Sequence, residues 1–211
     1  MGGSRSARER GADEALGQVL TEARRRRFLG PAPIADQIAH ALGFLIGPSP
    51  RHGVDLGSGG GLPGLVLAAA WPDSAWTLVD ASQRRTTFLA EAAEHLGLSP
   101  RVRVEWLRAE ELGRLPPHRA AADLVVARSF GAPAVTAECA SPLLEPGGRL
   151  LVSEPPGGDP SRWPFAGLAA LRLEPGPLHR GRFTYQELHQ VERCPERYPR
   201  RVGIPGRRPL F

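Results

Sequence analysis

The residues with the most chemical content stand together in Asp55-Leu56-Gly57-Ser58-Gly59-Gly60-Gly61-Leu62-Pro63-Gly64, where one carboxylate is followed by five glycines. Glycine reaches positive φ without strain and lets a ligand approach the backbone with no Cβ in the way, and Pro63 suits the first turn of a helix. At a strand-to-helix turn such a loop offers its amides and the helix N-terminus to an anionic group. A dinucleotide would place its diphosphate there, with an acid about 20 residues onward for the ribose. Asp80, 25 residues after Asp55, can accept ribose hydroxyls under either reading. Asp55 separates the two: a carboxylate at the mouth of the loop repels a diphosphate but suits S-adenosylmethionine, which carries an ammonium and a sulfonium. A nicotinamide or flavin fold, and glycines that only make a tight turn, are the competing readings.

These groups need a strand before the loop and a helix after it. HGVDLG (52–57), WTLVD (76–80), VRVEWL (102–107), ADLVVARS (122–129) and GRLLVSE (148–154) are apolar runs of strand length and read as five core strands. LPGLVLAAAW, SQRRTTFLAEAAEHLG, a short acidic segment and PAVTAECASPLLEPGG lie between them. In the second, Ser82 can cap the start, Phe88, Leu89, Ala92, Ala93 and Leu96 share a face, and Gly97 can end the helix. The alternation predicts an α/β fold, Rossmann-like, with a mostly parallel sheet and helices on both faces. Two helices, Ala12–Phe28 and Ile34–Ile46, are expected to form an N-terminal cap over residues 1–50. The main domain spans 51–194 and ends in a pair of closing strands. A basic tail, 195–211, has too little apolar content to pack alone and is expected to drape on the surface or fold against a partner.

The 211 residues are 41% hydrophobic and 23% charged, which predicts a folded chain rather than a disordered one. The opening MGGSRSARERGADE has no apolar stretch of the signal-peptide kind and no run approaches the roughly 18 residues of a membrane span, so a cytoplasmic protein with no membrane partner is expected. Cys139 and Cys194 stand 55 residues apart with no Cys/His cluster near them, so neither a disulfide nor a metal site is expected. The net charge of +5 is uneven: residues 1–30 carry +3, residues 191–211 carry +4, and the stretch between carries −2. All the basic charge is arginine. The two ends are either solvated tails or a polyanion-binding surface around a neutral core.

LLEPGGRLLV (143–152) resembles the stretch leading into the fifth strand of class I S-adenosylmethionine-dependent methyltransferases. VDLGSGGGLPGLVLAAAWP, LVDASQRRTTFL, RAEEL, DLVVARSF and above all the ending YPRRVGIPGRRPL resemble the RsmG (GidB) family, guanosine N7 methyltransferases of 16S ribosomal RNA. The resemblance covers about residues 52–211. It implies cofactor contacts at Gly57 and Leu62 in the loop, with Asp55, Gly59 and Gly61 beside them, at Asp80 on the ribose, at Ala109 and Glu110 beside the adenine, and at Arg128, which would also position the reactants. It further implies S-adenosyl-L-methionine as cofactor and 16S rRNA or the small ribosomal subunit as partner. RNA would be gripped by Arg24, Arg25, Arg26 and Arg27 at one end and by Arg193, Arg197, Arg200, Arg201, Arg207 and Arg208 at the other, with Tyr198 stacking on a base.

The chemistry agrees with what the sequence lacks. Guanine N7 has a lone pair and no proton to remove, so its attack on a sulfonium methyl needs alignment and no general base. An adenine N6 enzyme would carry a D/N-P-P-aromatic loop after the fourth strand, where this chain has Arg128-Ser129-Phe130-Gly131. A pyrimidine C5 enzyme needs a nucleophilic Cys, and Cys139 falls inside a predicted helix. Two differences from the family motivate other readings. RRRRFLGPAPIADQIAHALG replaces the family's Asn-Leu-Thr and Arg-His…Asp-Ser segments, and Ser153-Glu154-Pro155-Pro156 replaces a Lys-Gly pair. The first suggests a diverged methyltransferase for another RNA or a small molecule. The second suggests a non-catalytic ribosome-binding protein that keeps the cofactor pocket.

Overall fold

The computed structural model describes residues 7–211. Residues 1–6, part of the opening read above for a signal segment, lie outside the described residues. Seven strands form one sheet: β1 (His52–Leu56), β2 (Ala75–Asp80), β3 (Val102–Trp106), β4 (Ala122–Ala127), β5 (Leu144–Glu154), β6 (Leu173–Arg180) and β7 (Thr184–Gln190). The order is β3-β2-β1-β4-β5-β7-β6, with β1 to β5 parallel and β7 antiparallel to both β5 and β6. The strand sequences are apolar on both faces because helices cover both. Trp76, Leu78, Leu124, Val126 and Leu151 enter one buried cluster, and their alternates Val54, Leu56, Val79, Val125, Leu150 and Val152 enter the other.

The first cluster lies under α1 (Ala7–Arg25), α2 (Ile34–Leu42), α3 (Gly64–Ala70) and α4 (Gln83–His95), and the second under α5 (Ala109–Leu112), α6 (Pro133–Ala140) and α7 (Phe165–Ala169). Strand order reverses between β1 and β4, and ligands of open α/β sheets bind in the crevice that this reversal opens at the carboxyl ends of the strands. The glycine loop leaves β1 there, and Arg128 leaves β4 beside it. No helix among the described residues is long and apolar enough to cross a membrane.

Several local expectations shift. The first helix spans Ala7–Arg25 rather than 12–28, because Arg27 turns left-handed at φ +62° and Phe28 N–H closes back on Ala23 O. The second stops at Leu42 rather than Ile46, where the Tyr185 hydroxyl donates to His40 O at 2.6 Å. Ser82 opens α4 without a side-chain capping bond; Asp80 Oδ1 instead accepts Ser82 N–H at 2.8 Å. β5 begins at Leu144, because Leu144 already pairs with Ala122.

The tail is also placed differently. It packs on its own domain: Cys194 and Tyr198 belong to the second cluster, with Leu210 and Phe211 against it. Arg119 donates to Tyr198 O, Cys194 O and Pro195 O, and a short helix, α8 (Ile204–Arg207), follows.

Candidate active site

Three cavities meet at the switch point. One of about 230 Å³ lies over the glycine loop, between Gly57–Gly60, Leu62, Phe28, Gln37 and Arg128, whereas Gly61, expected beside the cofactor, faces Leu65 and Leu89 of the core instead. One of about 220 Å³ runs toward β3, lined by Val79, Asp80, Ala109, Glu110, Phe130 and Val135. One of about 400 Å³ lies toward β5, with His40, Arg128, Phe130, Glu154, Arg162 and Trp163 in its walls. Gly57 is shared by the first two, and Arg128 and Ser129 by the first and third. Ser129 is held at φ +56°, the kind of backbone strain that persists where surrounding structure fixes it.

The loop takes the shape its glycines permit, with Gly57, Gly59 and Gly61 at φ +69°, +56° and +94°. A Cβ on Gly59 would make only ordinary contacts, with the Gly57 and Phe28 carbonyl oxygens at 3.7 and 3.8 Å, so it is the positive φ that calls for glycine there. Gly59 N–H donates to Asp80 Oδ2 at 3.0 Å, which ties the loop to the end of β2. Asp80 also takes Arg85 Nη1 at 3.5 Å. Each of its oxygens has more than one lone-pair site, so it can still accept ribose hydroxyls. Leu62 borders the loop cavity, and Ala109 and Glu110 border the one toward β3.

Asp55 differs from its expected place. It lies beneath the loop, fully buried, with Oδ2 accepting Gly64 N–H at 2.9 Å and Oδ1 without a partner. It therefore fixes the start of α3 and reaches a ligand only through its field. Burial pushes its pKa up to about 7, against hydrogen bonds from Gly64 and Ser58 and the nearby Arg128, all of which lower it. Glu110 turns partly from the adenine position expected for it: its Oε1 accepts Gly203 N–H of the tail at 3.0 Å.

Arg128 stands at the joint of the cavities. Its Nη2 donates to Gln37 Oε1 at 3.2 Å, while Nη1 is buried with no hydrogen-bond partner. An unpartnered buried donor is costly, and an anionic ligand group would satisfy it. Nearby His40 is held neutral, its pKa brought down to about 4 by burial and then by the charge of Arg128. Glu154, the acid that stands after the fifth strand, is turned into the protein, where Arg162 Nη1 and Trp163 Nε1 both donate to it.

The loop, the Asp80 carboxylate, the orphaned Arg128 donor and the Val79, Leu107, Phe130 and Val135 side chains toward β3 fit the amino acid, ribose and adenine parts of S-adenosylmethionine. Among the described residues no group of three or more His, Cys, Asp or Glu side chains is placed to hold a metal ion.

The arginines expected at RNA divide. Arg24 and Arg27 are exposed, and Arg25 and Arg26 pair with Glu22 at the end of α1. In the tail, Arg193 lies 4.0 Å from Glu196, and Arg201, Arg207 and Arg208 are exposed. Tyr198 is not free to stack as expected: the ring is 7% exposed and the Arg197 guanidinium lies over it at 5.1 Å. Arg200 is likewise committed to the fold, its Nε and Nη2 donating to the buried Glu138 at 2.8 and 2.6 Å. Sequence reasoning missed Gln37, His40, Arg84 and Arg85. For the arginine pair a signal was present, since two cations in the first turn of a helix oppose its dipole.

The family described as rRNA small subunit methyltransferase G (GidB) matches residues 36–154. A ribosomal RNA small subunit methyltransferase G of Prochlorococcus marinus strain NATL1A is 34% identical over 188 residues, 85% of this chain and 76% of that protein. Its counterpart in strain MIT 9313 is 40% identical over 172 residues, 76% of this chain and 68% of that protein. Among solved structures, a protein titled a putative O-methyltransferase from Klebsiella pneumoniae superposes with a TM-score of 0.61 over 84% of this chain and 90% of its own, at 16% identity, a likeness of fold alone. With the family matched across the glycine loop, Asp80, Arg128 and β5, and relatives of the same name aligned over most of the chain, this protein belongs to the GidB family, the rRNA small subunit methyltransferase G proteins.

Proposed function

We propose that the protein transfers a methyl group from S-adenosylmethionine to N7 of a guanosine in 16S ribosomal RNA of the small subunit. The observation that carries the reading is the meeting of the two cavities beside the glycine loop with a third, larger one at Arg128 and Ser129, in a chain whose relatives are named ribosomal RNA small subunit methyltransferase G. Bound S-adenosylmethionine supplies an electrophilic methyl on a sulfonium. Gly57, Gly59 and Leu62 would shape the floor beneath it, Asp80 would accept the ribose hydroxyls, and Arg128 Nη1 would donate to the carboxylate. The cavity toward β5 receives the base, with Phe130 and Trp163 as apolar walls. Guanine N7 would supply the lone pair for the new N–C bond, with the thioether as leaving group. No proton moves, so neither His40, kept neutral by burial, nor Glu154, engaged by Arg162 and Trp163, need take one. What the walls contribute is orientation and exclusion of water.

The inward turn of Glu154 removes the motive for a non-catalytic reading, since the cavity does not face a bare carboxylate. The test is methyl transfer from labelled S-adenosylmethionine to 30S subunits, naked 16S RNA and a small-molecule extract in parallel. Label in the 16S RNA of the first or second supports the reading, and label confined to small molecules contradicts it.

A further inference from the structure

Beside the cofactor loop, the end of α1 and the start of α4 enclose a cleft of about 730 Å³ lined by Arg25, Arg26, Arg27, Phe28, Arg84 and Arg85. Phe28 and Arg85 also line the cavity over the glycine loop, so cleft and cofactor cavity share a wall. The five guanidinium groups are answered by three carboxylates: Glu22 pairs with Arg25 and Arg26, Glu91 with Arg26, and Asp80 with Arg85. Arg27 and Arg84 have no ion pair among the described residues.

The cleft is arranged at the expense of the isolated fold. Arg84 and Arg85 occupy the second and third positions of a 13-residue helix with no acid in its first turn, where each cation opposes the macrodipole. Arg27 is held in the left-handed region at φ +62°, which favours glycine. The Arg84 guanidinium lies over the Phe28 ring at 5.9 Å, and that of Arg26 over Phe88 at 5.2 Å. A guanidinium stacked by its face keeps its in-plane N–H donors for an acceptor. A tetrahedral anion in the cleft would meet the Arg27 and Arg84 guanidinium groups, which have no ion pair among the described residues, beside the positive N-terminal end of the 13-residue α4.

We propose that this cleft binds a phosphodiester group of the RNA strand that presents the target base, so that backbone capture beside the cofactor cavity sets the register of the base in the cavity toward β5. The inference rests on the function proposed above. It commits to RNA rather than a free nucleotide because the cleft shares Phe28 and Arg85 with the cavity over the glycine loop and carries more guanidinium groups than carboxylates.

The test is binding of a 16S RNA fragment to the full chain over a series of salt concentrations, with methyl transfer and cofactor affinity measured on the same preparations. Each phosphate contact to a single strand contributes about 0.7 to the slope of log K against log salt. The combined Arg27→Gln and Arg84→Gln variant is expected to flatten the slope by about 1.4 and to weaken RNA binding more than tenfold at low salt, with cofactor affinity unchanged within about twofold. Both side chains are exposed, so the variant should fold, and unchanged cofactor binding verifies it. Arg114→Ala, an exposed arginine in the loop after α5, should leave the slope unchanged. An unaltered slope in the double variant, with the wild type active on RNA, overturns the cleft alone. A wild type that binds cofactor but neither binds nor methylates RNA overturns the function, and the cleft with it.

Discussion

Asp55 and Arg128 make opposite use of burial. Asp55 is the acid that the glycine-loop pattern brings forward as a ligand contact, yet it is fully buried, and its Oδ1 has no partner. Its pKa, up from 3.8 to about 7, means that the folded state binds a proton the unfolded chain has already lost. Stability from this group is greatest below about pH 4, falls as pH rises toward about 7 and is level above that, a change of up to about 4 kcal/mol. Asp55→Asn keeps an acceptor for Gly64 N–H and removes the titration, so its urea stability should vary less between pH 4 and 8 than that of the wild type. An equal dependence in both proteins would show that another group controls it. Arg128 is a charge held half-desolvated with one donor unmet. Arg128→Met should fold normally, while S-adenosylmethionine binds about ten- to a hundredfold more weakly, the cost of one charge-assisted hydrogen bond. Isothermal titration reads this directly, and an unchanged affinity would move Arg128 from cofactor to base.

At the scale of elements, the tail shows what a one-dimensional reading misses. Its composition is polar and basic, and taken by itself it predicts a surface strand ready for RNA. The fold supplies what the composition lacks: Glu138, fully buried on α6, faces Arg200, and Glu110 on α5 takes the Gly203 amide. Arg200→Ala leaves a buried carboxylate uncompensated and should cost about 3–5 kcal/mol in chemical denaturation. Glu138→Gln with Arg200→Met should recover most of that loss. If Arg200→Ala unfolds at the wild-type midpoint, the pair is ornamental and the tail is free for RNA.

The strands, by contrast, were legible, because an apolar run of five or six residues ending at an acid or a glycine has few places to go except a buried parallel sheet. Asp80 could be named from its distance along the chain from the glycine loop, whereas Ala109 and Arg128 were named through the resemblance to the family. Gln37, His40 and Arg84 could not, because they reach the site through the packing of α2 and α4, and periodicity does not say which helical residues border a cavity. Ser82 misled for a similar reason: its cap role is replaced by a carboxylate two residues earlier, a local competition with no sequence marker.

Across the whole molecule, the +5 charge resolves into two unlike ends. The arginines at the end of α1 join Arg84 and Arg85 on the face of the sheet that carries α1 to α4, at the mouth of the cofactor cavity. Those of the tail lie with the second cluster on the opposite face, partly spent on holding the tail down. The slightly acidic middle is the catalytic body itself. Under the two proposals above, a substrate strand would be drawn to the carboxyl edge of the sheet from the α1–α4 side, and the base would pass Arg128 and Ser129 into the cavity toward β5. The measurement that tests this account most directly is the position of the methyl group. Small subunits labelled by the protein and S-adenosylmethionine are reduced with borohydride and cleaved with aniline, chemistry that cuts RNA at N7-methylguanosine. The account predicts strand scission at one guanosine of 16S RNA, coincident with the label and absent without enzyme. Label on another base, or cofactor binding with no transfer to RNA, would contradict it.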